Sequence, residues 1–191
     1  MKKIKSVCVY CASSSKINPR YFEAARETGR LLAQNGMRCV CGAGNQGLMG
    51  TLADSVLKNG GEVLGVIPRF MIDEGWCHKG LTETIVTADM HERKERMAQE
   101  ADAVIALPGG CGTMEELFEI ITWKQLGLFL NPIVILNIDG YYNPLIEMLH
   151  NAIGENFMRQ EHARMWQVAQ TPQEAVDACL LYTSDAADDR I

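Results

Sequence analysis

The 191-residue chain lacks several features that would each settle its class outright. No apolar run approaches the ~20 residues of a membrane helix, which excludes a helical span. Basic charge is not in excess. The 18 Lys and Arg stand against 24 Asp and Glu, for a formal charge of −6, so a general nucleic-acid binder is excluded for want of a basic face. The opening MKKIKSVCVY has a basic head, but a serine and then polar CASSSK cut its apolar run short of a signal peptide. It reads as the first strand of a cytoplasmic protein. Internal repeats, long linkers and low-complexity segments are also missing.

What is present suits a globular domain: 47% hydrophobic and 22% charged residues, in a chain long enough to bury a sizeable core. Seven cysteines include a C-x-x-C at Cys8 and Cys11. An odd separation on a strand sends the two side chains to opposite faces, against a metal or redox pair. The odd total fits small buried hydrophobes in a reducing compartment.

Apolar runs predict buried strands over Ile4–Tyr10, Arg38–Cys41, Glu62–Ile67, Thr84–Val86, Asp102–Leu107 and Pro132–Asn137. Helical patterns cover Pro19–Asn35, Leu48–Lys58, Met90–Glu100 and Met114–Gly127, with two more near Pro144–Ile153 and Pro172–Leu180. This alternation predicts a single α/β domain over residues 1–180, Rossmann-like and doubly wound, with a mostly parallel sheet and helices on both faces. Residues 181–191, ending in YTSDAADDRI, are small and acidic and read as a disordered or non-native tail.

Ligands of open α/β sheets bind beyond the carboxyl ends of the strands. The loops there are CASSS with Ser13, GAGNQG, PRFMIDE, TADMHERK and PGGCGT, all rich in glycine, hydroxyl or charge, which predicts one shared polar pocket. The loop at Gly42, Gly44 and Gly47 formally matches G-x-G-x-x-G. However, the third strand ends in Pro68 and Arg69 instead of the acid that holds a dinucleotide ribose. The lysine of a P-loop is missing too. What survives is an expectation of backbone amides and a helix N-terminus aimed at an anion or ribose.

In ADMHERKERMAQEAD, Asp89 and Glu92 make a capping box. Arg93 and Lys94 then fall where the helix dipole disfavours cations by roughly 0.3–1 kcal/mol. Met90, Arg93 and Met97 share one face, so Arg93 points inward, and a phosphate or substrate contact would reconcile its position. An arginine that snorkels, or pairs with Glu92 or Glu95, is the alternative. In LPGGCGTMEE, Thr113 and Glu116 form a second capping box, which explains Glu116 without chemistry but leaves Gly109, Gly110 and Gly112 unexplained. Met114, Leu117, Phe118 and Ile121 read as the core face of that helix, with Glu116 between it and a face of Glu115, Glu119 and Thr122.

PGGCGTMEE, MHERK and GAGNQGLMG together resemble the LONELY GUY (LOG) family of cytokinin riboside 5′-monophosphate phosphoribohydrolases, which also circulates under a lysine decarboxylase label. The resemblance runs from about residue 5 to about 178 and includes CASSSKINPRY, VLGVIPRFM, ITWKQLG and NIDGYYNPL. GAG for a common GGG, CASS for CGSS, and Cys111 at a frequently aromatic position are its departures. The resemblance implies a Rossmann-like fold, no metal or redox cofactor, and at least a dimer. It places the catalytic pair on Arg93 and Glu116. Substrate contacts fall on Glu74, Lys94, Gly109, Gly110, Cys111, Gly112, Thr113, Glu115 and Thr122, beside the loops at Ser13, Gly42 and Gly44. The implied reaction cleaves the N-glycosidic bond of an N6-substituted adenosine 5′-monophosphate to free base and ribose 5-phosphate. No lysine is marked for a pyridoxal Schiff base. A broader AMP nucleosidase is the alternative, as is a non-catalytic carrier of the same fold, such as a molybdenum-cofactor carrier, which would not need both Arg93 and Glu116. FEIITWKQLGLFL is apolar on nearly all sides and predicts burial in the core or in a homodimer interface.

Overall fold

The structure, a computed structural model, describes residues 3–182. Seven strands form one parallel sheet: β1 (Ser6–Tyr10), β2 (Arg38–Cys41), β3 (Val63–Pro68), β4 (Glu83–Thr87), β5 (Ala103–Ala106), β6 (Ile133–Leu136) and β7 (Gln167–Ala169). Their spatial order is β4-β3-β2-β1-β5-β6-β7. Six strands were expected. The seventh, three residues at the edge, is too short to carry a periodic signal. The helices are α1 (Pro19–Gln34), α2 (Gly47–Lys58), α3 (Arg69–Asp73), α4 (Met90–Gln99), α5 (Cys111–Gln125), α6 (Asn143–Gly154) and α7 (Pro172–Leu180). The five-residue α3 stands where the sequence suggested only a loop. The expected tail falls mostly on residues 183–191, outside the described residues.

Both faces of the sheet are covered, which is why its central strands read as unbroken apolar runs. One core cluster packs α1, α2 and α7 on the sheet, and the other packs α4, α5 and α6. Cys8 belongs to one cluster and Cys11, Cys39 and Cys41 to the other, as the spacing of the first pair requires.

The chain runs outward from β1 through β4, then crosses to the opposite side of β1 to lay down β5. The loops after β1 and β5 therefore meet at a topological switch point, where open sheets of this type leave a crevice. A bond from the Ala12 amide to the Pro108 carbonyl, 3.3 Å, ties those two loops together.

Candidate active site

The pair Arg93 and Glu116 comes from two helices on the same face of the sheet. Asp89 caps α4 by accepting from the amides of His91 and Glu92 at 2.8 and 2.9 Å. Glu92 reaches back to the amide of Ala88 at 2.7 Å, one residue beyond the expected partner. The cap sets the phase of α4 so that Arg93 points at the ends of the central strands. There its Nε donates to the Val66 carbonyl at 3.0 Å and its Nη2 to the Gly42 carbonyl at 3.1 Å. Main-chain oxygens of β3 and of the residue after β2 thus fix the guanidinium, and neither Glu92 nor Glu95 pairs with it. A Cβ at Gly42 would lie 1.7 Å from Nη2, so glycine is needed for this close approach.

Arg93 Nη1 lies 3.8 Å from Glu116 Oε1. That separation gives electrostatic attraction but no hydrogen bond, so both groups keep capacity for a ligand. Burial pushes the Glu116 carboxyl up to about 7, with Glu115 and Glu119 adding to the rise and Arg93 and Lys94 opposing it. The capping box expected at Thr113 is absent. α5 starts two residues before Thr113, with Gly110 as N-cap and no side-chain cap bond, and Thr113 is buried inside the first turn. Glu116 is therefore free of a capping duty. The core face of α5 is also shifted: Thr113, Leu117, Ile120, Ile121 and Lys124 are buried, while Phe118 is 41% exposed.

Gly109 packs so closely on Thr113 that a Cβ there would meet Thr113 Oγ1 at 2.1 Å. At Gly110 and Gly112 a Cβ would meet nothing within 4 Å. The first glycine is required by packing, and the other two leave open space over an uncapped helix N-terminus. The amides there and the positive end of the helix dipole suit an anion. Glu116 lies six residues further along, about 9 Å of rise. Side chains lean toward the helix N-terminus, which brings its carboxylate back toward the loop.

The GAGNQG loop behaves differently from expectation. Two of the first amides of α2, those of Leu48 and Met49, donate to the Ala12 carbonyl at 2.9 and 3.3 Å. The Gly44 amide meets Met49 Sδ at 2.9 Å and the Asn45 amide bonds the Trp76 carbonyl at 3.0 Å. This loop is therefore a wall, and the open helix N-terminus belongs to α5. Ala43 holds φ at +60°, a strained value for a residue with a Cβ, with its carbonyl bonded by the His78 amide at 2.8 Å. Ser13, Gly44, Asn45, Gln46, Met49, Met71 and Trp76 line a cleft of about 270 Å³. Its Met49 sulfur lies 3.2 Å from the same Gly42 Cβ position that Arg93 approaches, so the cleft and the Arg93–Glu116 pair adjoin. Met49, Met71 and Trp76 were not singled out from sequence. Their signal was weak: a methionine two residues past the loop, and an exposed tryptophan just after a helix too short to register.

Lys94 does not face the cleft unpaired. Its Nζ is bound by Glu115 and, at 3.1 Å, by Glu119 Oε1. Burial alone would lower its pKa, but the two carboxylates raise it. Glu115 is thereby committed to Lys94 in the structure as it stands. Cys111 is exposed on the first turn of α5, Thr122 lies exposed a turn and a half beyond Glu116 with its hydroxyl on the Phe118 carbonyl at 2.8 Å, and Glu74 is an exposed C-cap of α3.

A family model described as "Possible lysine decarboxylase" matches residues 49–179. Over 174 residues the chain is 43% identical to a cytokinin riboside 5′-monophosphate phosphoribohydrolase of Arabidopsis thaliana, spanning 91% of this chain and 80% of that protein. It is 40% identical to the enzyme of that name, LOG, from Oryza sativa subsp. japonica, spanning 91% and 72%. Among solved structures, the molybdenum cofactor binding protein of Rippkaea orientalis superposes with a TM-score of 0.69 at 21% identity, covering 93% of this chain and 95% of that one. The molybdenum cofactor carrier protein of Chlamydomonas reinhardtii gives 0.69 at 18% identity, covering 93% and 96%. These two likenesses show a shared fold. The length and level of identity to the phosphoribohydrolases show more than that: this chain belongs to the LONELY GUY (LOG) family.

Proposed function

We propose that the protein hydrolyses the N-glycosidic bond of N6-substituted adenosine 5′-monophosphates, releasing the free base and ribose 5-phosphate. The observation that carries this reading is the pair of buried Arg93 and half-buried Glu116, 3.8 Å apart, beside an uncapped helix N-terminus. In the reaction the C1′–N9 bond breaks with its electron pair going to N9, and the ribose acquires oxocarbenium character. Glu116, as carboxylate, stabilises that cation and takes a proton from the water whose oxygen bonds to C1′, and that proton passes on to the departing base, which leaves neutral and returns Glu116 to the carboxylate. Arg93 orients the nucleotide and supports the departing base. The amides of residues 110–113 hold the 5′-phosphate, and Lys94 adds positive charge nearby.

The pyridoxal chemistry of a decarboxylase calls for a lysine that readily loses its proton. Lys94 is held charged by two carboxylates. Lys124, lowered to about 8 by burial, donates to the Asn131 carbonyl at 2.7 Å, eight residues beyond Glu116 on α5.

The test is release of base from N6-isopentenyl-AMP and from AMP, without added metal. Wild type should release base and ribose 5-phosphate, and Glu116→Gln should be slower by about 10²–10⁴-fold. Comparable rates on both nucleotides would move the reading to a general nucleoside monophosphate nucleosidase. No release from either would leave a binding module.

We further infer that residues 1–180 form one domain acting as a cytoplasmic homodimer. The thiols of Cys8, Cys11, Cys39 and Cys41, free and buried, suit a reducing setting. Phe118, Leu126, Leu128 and Leu130, on α5 and the turn after it, are 41–69% exposed, an apolar surface that a second copy would cover.

A further inference from the structure

Two tyrosines from a distant turn hold the carbonyls of the glycine loop. Tyr141 donates its hydroxyl to the Gly109 carbonyl at 2.7 Å, and Tyr142 donates to the Leu107 carbonyl at 2.6 Å. Both lie just after β6, in a turn that is braced on its own account. Arg20 pairs with Asp139 at 3.0 Å, and the rings of Tyr21 and Tyr141 meet edge to face at 5.7 Å. Asn137 accepts from the Tyr142 amide at 2.7 Å and donates to Asn143 at 2.8 Å. The two hydroxyls are thus positioned without any ligand.

A trans peptide points its C=O and N–H in opposite directions, and no peptide bond among the described residues is cis. Holding the Gly109 carbonyl on Tyr141 therefore turns the Gly110 N–H the other way, at the N-cap of α5. The space around Gly110 is open. A peptide between two glycines rotates at little steric cost, and a rotated one would present its carbonyl oxygen to an incoming anion.

We propose that Tyr141 is a positioning residue for phosphoryl recognition, its hydroxyl locking the Gly109–Gly110 peptide so that the Gly110 N–H and the start of α5 face the 5′-phosphate. This rests on the nucleotide reading above and adds a residue to it. Tyr142 supplies an internal control. The residue after Leu107 is Pro108, which has no N–H to aim, so the buried Tyr142 bond serves packing alone.

The experiment is calorimetric titration of wild type, Tyr141→Phe and Tyr142→Phe with ribose 5-phosphate and, separately, with N6-isopentenyladenine, alongside steady-state kinetics. Tyr141→Phe keeps its half-exposed ring and should fold. It should bind ribose 5-phosphate about tenfold more weakly, the weight of one hydrogen bond. Affinity for the free base should hold, and KM for the nucleotide should rise with kcat unchanged. Tyr142→Phe should lower the thermal midpoint and leave ribose 5-phosphate affinity as it was. Wild-type affinity in Tyr141→Phe would overturn the proposal, as would equal loss for both ligands, or a wild type that binds no ribose 5-phosphate. A wild type that binds ribose 5-phosphate but hydrolyses no nucleotide would sink the hydrolase reading and leave the role of Tyr141 to be decided by the affinities.

Discussion

At the scale of single residues, the site depends on close approaches that only glycine permits. Gly42→Ala places a methyl 1.7 Å from Arg93 Nη2 and must displace the guanidinium. A misplacement of about 1 Å in such a group can cost about 10²-fold, so kcat/KM should fall by that order while the protein stays folded. Gly112→Ala meets no protein atom within 4 Å. Its stability should be unchanged or raised by up to about 1 kcal/mol, and a loss of nucleotide affinity would come from the methyl occupying ligand space. Circular dichroism with KM measurements on both variants checks the contrast. Glu116 gives a pH signature. Its carboxyl is pushed up to about 7, and the proposed role needs the carboxylate. The profile of kcat/KM should rise through pH 7, above the second phosphate ionisation near ~6. Stability runs the other way. A carboxylate raised on folding contributes stability that is full below its ordinary pKa and lost as pH rises through about 7. The thermal midpoint of wild type should therefore drop more between pH 4 and pH 8 than that of Glu116→Gln.

At the scale of elements, α4 and α5 bring the pair together, and each has a separable weak point. Asp89→Ala removes the cap of α4 and should cost about 1 kcal/mol, a drop of about 2–4 °C in a chain of this size. Leu117 is fully buried on α5, and Leu117→Ala should cost about 2–5 kcal/mol. The long helices and central strands were legible because their apolar periods span many residues. The inward direction of Arg93 was legible for the same reason. The start of α5 was not. Thr113 followed by Glu116 carries every mark of a capping box, yet the helix begins at Cys111, with Gly110 in the N-cap position and no side chain capping the first amides. The commitment of the α2 amides to Ala12 was equally hidden, since it depends on the β1 and β2 loops touching. Local propensity misses the first because Gly110 carries no side-chain cap to signal a helix start, and the second because it is decided by a tertiary contact.

At the scale of the whole molecule, the exposed leucines at 126, 128 and 130 are the strongest sign of assembly. Light scattering at micromolar concentration should report a dimer, and Leu128→Asp should shift it toward monomer with the monomer fold retained. A wild-type monomer would remove the dimer proposal. The strand order also decides what kind of change the site tolerates. Arg93 is held by the main-chain oxygens of Val66, within β3, and Gly42, just past the end of β2. Every amino acid supplies that same oxygen, whatever its side chain. At position 66 the anchor therefore survives substitution as long as the strand forms, whereas at position 42 the added Cβ itself collides. The guanidinium is thus inherited from the fold more than from its neighbours' identities, and a lineage or a designer can repaint the third strand without unseating it.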